Sequence, residues 1–296
     1  MQVALTPVAQ LSARRAAGAS RLNKLDIFQP VTALLTLLAI ACLALPALAQ
    51  DKSQGSTTFK PQSGQAGKDV VWVPTPQALV DKMLDMAKVT PQDYLVDLGA
   101  GDGRTVITAA QRGLKAHGIE YNPDMVNVAK KAAADAGVSD RATFEQADLF
   151  VTDFSKADVL TLFLLPSINE KLRPTILKMA PGTRVVSNTF DMGDWKADKT
   201  ESVGGDCASY CTALLWIVPA QVAGTWKLGD QELKLEQNYQ MVTGTLGSAP
   251  ISDAKLNGKE ITFYVNGGRY TGTVDGSAMK GTVSGGPGGE WSAPRG

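Results

Sequence analysis

Three short stretches carry side chains whose types and spacing suit one kind of ligand. The first is Val96-Asp97-Leu98-Gly99-Ala100-Gly101-Asp102-Gly103-Arg104. A glycine-rich turn lets a ligand approach the backbone, and a helix that follows offers free N–H groups at its start. Gly99, Gly101, Asp102 and Gly103 are therefore candidate contacts. A dinucleotide fingerprint would place a small residue where Arg104 stands, for close helix–strand packing. Asp97, just before the turn, would repel a phosphate but attract a cationic amino group. Twenty-three residues after Asp97 comes Glu120, in Gly118-Ile119-Glu120-Tyr121-Asn122-Pro123. A carboxylate at a strand end can take both hydroxyls of a ribose. Tyr121 can pack on an adenine, and Asn122 belongs to the same candidate stretch. In Ala147-Asp148-Leu149, Asp148 can accept from an adenine amino group and the Leu149 N–H can reach a ring nitrogen. The expected ligand is an adenosine carrying a cationic amino-acid group.

The surrounding pattern supplies the elements that hold these residues. Leu79, Val80, Met83, Leu84 and Ala87 share one face of a helix over 76–87. Apolar runs at 94–98, 116–120, 142–146, 158–164, 183–188 and 212–218 read as buried strands, and 105–112, 124–136 and 168–179 as helices. Strands alternating with helices imply a mostly parallel sheet covered on both faces. The fold class is α/β.

The motifs from Asp97 to Arg104, with Glu120 and Asp148, resemble those of class I methyltransferases that use S-adenosylmethionine (SAM). A closer likeness runs from Val73-Pro74-Thr75-Pro76 through Thr161-Leu162-Phe163-Leu164-Leu165-Pro166 and Asn169-Glu170-Lys171-Leu172 to 181–187. It is similar to the archaeal protein-lysine methyltransferases and their mitochondrial relatives, over about half of the chain. That resemblance implies a Rossmann-like sheet, SAM as cofactor, Thr75 near the cofactor, and the stretch after the fourth strand near the methyl group. The chain departs from the family at Asn188-Thr189-Phe190, where those enzymes usually carry a histidine and an acid. The expected activity is methyl transfer to an amine, either a protein lysine or a small molecule. The alternative is an exported SAM- or nucleotide-binding protein without turnover.

Such a transfer is an in-line displacement, so alignment and exclusion of water matter most. A lysine nucleophile must arrive neutral, which an apolar slot favours. Phe163, Leu164 and Leu165 are candidates for that slot or for plain strand core. No residue stands out as a general base, so the catalytic set is left open. His117, the only histidine, falls inside a strand and reads as a packed core residue. The chain lacks the Asn/Asp-Pro-Pro-aromatic motif of enzymes that methylate nucleic-acid amines. No nucleic-acid partner and no metal are expected.

The first 49 residues read as a secretory signal peptide. Arg14, Arg15, Arg21 and Lys24 precede an apolar run from Val31 to Leu45, then Pro46 and Ala47-Leu48-Ala49. Export to the periplasm or beyond is expected, with a membrane anchor as the alternative if the segment is not cleaved. Removing it takes those four cations and Asp26 from a chain with 29 basic and 29 acidic residues, leaving a charge near −3. Residues 50–68, rich in Gly, Ser, Gln and Lys, read as a flexible linker before a methyltransferase domain at 69–221. Cys207 and Cys211 could oxidise in such a compartment, provided a turn brings them together.

After residue 221 the helical signals stop, and fifteen of the 29 glycines fall in the last 75 residues. Short strands are expected at 223–226, 232–240, 260–265, 269–274 and 279–283. Asn257-Gly258, Asn266-Gly267 and Asp275-Gly276 are hairpin dipeptides. Residues 222–296 therefore read as a small antiparallel β-meander, or a partial barrel closed by Trp226 and Trp291.

Overall fold

The computed structural model describes residues 59–296 apart from Asp206 and Pro287. The expected signal peptide lies outside the described residues. Among those residues, no helix is long and apolar enough to cross a membrane.

Seven strands build the first sheet: β1 (Tyr94–Leu98), β2 (Lys115–Glu120), β3 (Ala142–Gln146), β4 (Val159–Leu162), β5 (Arg184–Asn188), β6 (Lys199–Ser202) and β7 (Thr212–Ile217). Their spatial order is β3-β2-β1-β4-β5-β7-β6. Strands β1 to β5 run parallel. They are joined through helices α2 (Arg104–Gln111), α3 (Pro123–Asp135) and α4 (Pro166–Ile176) or by loops. Strand β7 is antiparallel to both neighbours. Its β6 partner leads into it without a helical crossover, and a direct connection of that kind forces antiparallel pairing. Helices α1 (Gln77–Met86), α2 and α3 cover one face, where Leu79, Val106, Ala129 and Val186 are buried together. The other face is closed by α4 and by Met192 and Trp195 from the loop after β5. The order of connection reverses between β1 and β4. At such a switch point, the carboxyl ends of parallel strands leave a crevice for ligands.

The remaining chain forms a second sheet. It comprises β8 (Gly224–Leu228), β9 (Gln231–Asn238), β10 (Met241–Leu246), β11 (Ala249–Pro250), β12 (Ser252–Asn257), β13 (Glu260–Val265), β14 (Gly268–Asp275), β15 (Ala278–Ser284) and β16 (Gly289–Pro294). All neighbours pair antiparallel, and a Trp226–Arg295 bridge joins the first strand to the last. The expected meander is thus present, and the bridge draws its two edges together into a near-closed barrel. Trp226, Phe263, Met279 and Trp291 are buried in its interior. Of the hairpin dipeptides, Asn266-Gly267 occupies the centre of its turn, with φ +51° and +74°. At Gly258 and Gly276 the turn falls one residue later, because Asn257 and Asp275 still pair in their strands. Strands β10 and β12 leave no clear signature in the sequence, because their glycines and charges blur the alternation.

The segment before α1 differs from the linker expected up to Lys68. Residues 62–72 fold back as a small hairpin in which Ala66 and Val71 bridge. Gln62 N donates to Gln65 Oε1 at 2.8 Å, and Gln65 Nε2 donates to Met125 Sδ at 3.4 Å, which ties the hairpin to α3. His117 also differs from its expected place, since it is not packed among apolar groups. Its Nδ1 lies 2.8 Å from Thr143 Oγ1, and its Nε2 is 3.6 Å from Glu145.

Candidate active site

The turn after β1 is built around positive φ angles: +82° at Gly99, +56° at Gly101 and +82° at Gly103. Side chains other than glycine avoid these values. Gly99 N and Ala100 N both donate to Ile119 O, which ties the turn to β2. Gly103 is turned away from the crevice. A Cβ there would come within 2.7 Å of Phe144 Cζ and 2.8 Å of Ala129 Cβ, so the absence of a side chain serves close packing of α2. Gly118 does the same on β2, where a Cβ would meet Ala100 and Phe144 at 2.6 Å. Arg104 holds Asp102 through two nitrogens and donates from Nη1 to Thr75 O at 2.9 Å. The charged group that argued against a dinucleotide fixes the turn and the 73–76 segment.

Asp97 is 7% exposed. The β1–β4 register places it directly beside Thr161, whose Oγ1 donates to Asp97 Oδ1 at 2.7 Å. Burial, reinforced by the nearby negative charges of Glu120 and Asp102, pushes its carboxyl up to about 7 against the hydrogen bond from Thr161. Among the described residues no cation pairs with it, and a buried carboxylate of that kind calls for a cationic ligand group. Glu120 is fixed by two backbone donors: Gly101 N to Oε2 and Asn122 N to Oε1, both at 2.9 Å. Each oxygen keeps a lone pair for a hydroxyl. The Asn122 side chain caps α3 by accepting from Asp124 N and Met125 N. It therefore positions the end of β2 through the helix.

Asp148 accepts from Phe150 N at 2.9 Å and from Lys68 Nζ at 2.6 Å. The Lys68 hydrogen bond holds its carboxyl below the usual range. Lys68 also lies 4.6 Å from the centre of the half-exposed Tyr121 ring. The 62–72 hairpin thus covers the adenine end of the crevice, and Trp72 packs where a Cβ of Gly101 would stand.

Thr75, Asp97, Gly99, Gly101, Asp102, Glu120, Tyr121, Asn122, Asp148 and Leu149 all line one cavity of about 520 Å³. Of the sequence candidates only Gly103 does not. That volume lies within the common range for small-molecule sites. Phe163, Leu164 and Leu165 also line it, with Phe190 and Tyr210. Sequence reasoning missed Lys68, Trp72, Thr161 and Tyr210. Only Thr161 left a signal, as a polar residue in an otherwise apolar buried strand.

The residues fit SAM: Asp97 for the cationic amino group, Glu120 for the ribose, Tyr121, Asp148 and Leu149 for the adenine. When bound, SAM supplies a methyl group activated by a positive sulfur. The sheet order and this crevice define a class I SAM-dependent methyltransferase. Residues 97–199 match the profile of the ANTKMT methyltransferase domain. The chain is 43% identical over 129 residues to a protein-lysine N-methyltransferase of Saccharolobus islandicus (strain REY15A), covering 43% of this chain and 80% of the relative. It is 34% identical over 129 residues to the adenine nucleotide translocase lysine N-methyltransferase of Mus musculus, covering 43% of this chain and 56% of that relative. Among solved structures, an RNA methyltransferase from Salinibacter ruber bound to S-adenosyl-L-homocysteine is 48% identical, with a TM-score of 0.48, covering 51% of this chain and 96% of that one. The chain belongs to the methyltransferase family of the archaeal and mitochondrial lysine N-methyltransferases.

Proposed function

We propose that the protein transfers a methyl group from SAM to the side-chain amine of a lysine in a protein, and that it does so outside the cytoplasm. The observation that carries the acceptor reading is the aromatic end of the cavity. Asp97, Glu120 and Asp148 lie at the ends of β1, β2 and β3, so the cofactor's polar groups take that side. The β4–β5 side, walled by Phe163, Phe190 and Tyr210, is left for the acceptor. Such walls take the alkyl chain that carries the amine and keep water from the reacting atoms. The lysine N-methyltransferase relatives support the same class of acceptor. The Cys207–Cys211 disulfide supports export, since such bonds persist in oxidising compartments.

The test is to incubate purified protein with tritium-labelled SAM and with protein and RNA from each cell fraction. Label on lysine in exported proteins is the expected result. Label removed by ribonuclease, or label confined to a small amine, would overturn the acceptor reading. SAM binding with no label in any fraction would mark a binding protein instead. An intact Met1 in the cytoplasmic fraction would overturn the location.

A further inference from the structure

Three aromatic rings meet at the acceptor end of the cavity. Phe163 and Phe190 are stacked at 6.0 Å, Phe163 and Tyr210 meet edge-on at 5.2 Å, and Phe190 and Tyr210 lie 5.8 Å apart. The three come from separate loops, after β4, after β5 and between β6 and β7.

Two of these walls are fixed by the methyltransferase sheet itself. Phe163 directly follows β4. Phe190 stands in a tight turn in which its N donates to Asn188 O at 2.7 Å. Its own carbonyl accepts from Ser187 Oγ at 2.7 Å and from Asn169 Nδ2 at 3.2 Å. Thr189, at φ +61°, makes the turn at the expense of an unfavourable backbone angle for a β-branched residue. Backbone held off its preferred angles by its surroundings is a feature of ligand sites.

The third wall arrives differently. Tyr210 is 39% exposed and sits on an exposed loop, at φ +58°. Val203 N donates to Cys211 O at the base of the loop, and the Cys207–Cys211 bond closes it, with the two Cα atoms 5.9 Å apart. Among the described residues, no side chain hydrogen-bonds the Tyr210 hydroxyl. Its ring is placed by the closed loop and by its two aromatic neighbours.

We propose that Tyr210, held by the disulfide loop, completes an aromatic wall of the cavity that selects the acceptor: an unbranched alkyl chain ending in an amine or a methylated ammonium. This deepens the lysine reading and rests on it. A ring face attracts a desolvated cation and is tolerant of methyl groups on it. The wall therefore accepts a methylated side chain as well as the free lysine. Tyr210 acts on the acceptor through its ring face, not through its hydroxyl.

The test uses the full exported chain, with an unstructured lysine peptide and its trimethyl-lysine counterpart as probes. Tyr210→Ala should weaken trimethyl-lysine peptide binding, read by fluorescence anisotropy with S-adenosyl-L-homocysteine present, by about tenfold. It should raise KM for the lysine peptide by a similar factor while the Kd for SAM, from calorimetry, stays within about twofold. Tyr210→Phe should behave as the unsubstituted protein. The Cys207→Ser/Cys211→Ser double variant should reproduce the Tyr210→Ala defect, and combining the two changes should add little. Unchanged peptide binding in Tyr210→Ala, with the unsubstituted protein methylating the peptide, overturns the role of Tyr210 and leaves the lysine reading intact. Failure of the unsubstituted protein to bind either peptide and to methylate the lysine peptide, with normal SAM binding, overturns both.

Discussion

Trp195 Nε1 donates to Gln240 Oε1 at 3.0 Å in the interior, joining the loop after β5 to the tip of the β9–β10 hairpin. Gln240 Nε2 in turn donates to Lys196 O at 2.8 Å, and Tyr239 stacks on Trp195 at 5.9 Å. Tyr239 reaches its place through φ +55°, and its hydroxyl donates to Asp194 Oδ1 at 2.9 Å. The barrel has its own apolar interior, yet one of its hairpins braces the loop that carries Phe190. The barrel and the acceptor end of the cavity are connected through this loop.

Gln240→Ala should therefore destabilise the protein by about 1–3 kcal/mol, because the buried Trp195 N–H and Lys196 carbonyl lose their partner. Urea unfolding is the measurement. SAM affinity should be unchanged, since none of these groups lines the cavity. A chain ending at Gln221 should do worse. It uncovers Trp195, which is 0% exposed in the whole protein, and apolar surface of that kind drives association. Light scattering on residues 50–221 should show aggregation; a monomer with full SAM affinity would disprove the bracing role.

Lys68 and Asp148 close the 62–72 hairpin over the adenine end. Lys68→Ala should loosen that cover, so SAM should dissociate faster. The pair is partly exposed, and salt screens such pairs. Raising ionic strength should therefore accelerate release from the unsubstituted protein more than from the variant. Stopped-flow fluorescence of Trp72, which packs beside Gly101, reports the event. Equal release rates at low salt would show that the hairpin is not the cover.

How much of this was legible follows from distance along the chain. Asp97, Glu120 and Asp148 each close a strand whose apolar run is local, so strand end and chemistry could be read together. Gly103 and Gly118 were harder. Their role is to let α2, β2 and Phe144 approach, and that packing is visible only in three dimensions. Strand β6, Lys-Thr-Glu-Ser, lies mostly exposed at the sheet edge and carries no apolar alternation to find. Lys68, Tyr210 and Gln240 come from turns or loops and reach their partners across long separations in sequence. No periodicity marks such residues.

Glu120 offers a sharper test of the ribose site than removal of the whole site would. Its carboxylate is held by Gly101 N and Asn122 N. Glu120→Ala leaves both amides without that acceptor and removes the hydroxyl contacts. The expected loss is roughly ten- to a hundredfold in SAM affinity. Calorimetry decides it. An unchanged Kd would exclude Glu120 from the ribose site.

Asp97 gives the clearest pH dependence. Its carboxyl sits at about 7 in the folded protein against 3.8 for an ordinary aspartate. Between those values the folded state keeps a proton that the unfolded state has lost. Stability from this group is therefore fully present below about pH 4, falls as pH rises, and levels off above about pH 7. Asp97→Asn removes the charge and should flatten that slope, so the variant without ligand should melt higher than the unsubstituted protein at pH 8. The same variant should bind SAM about ten- to a hundredfold more weakly, since the cationic amino group loses its partner. Binding itself should expel the proton from Asp97 at pH 6 and release none from it at pH 8. Calorimetry in two buffers of different ionisation heat measures that proton directly. A binding heat at pH 6 that does not change with buffer would show that Asp97 is not the group that meets the cofactor's cation.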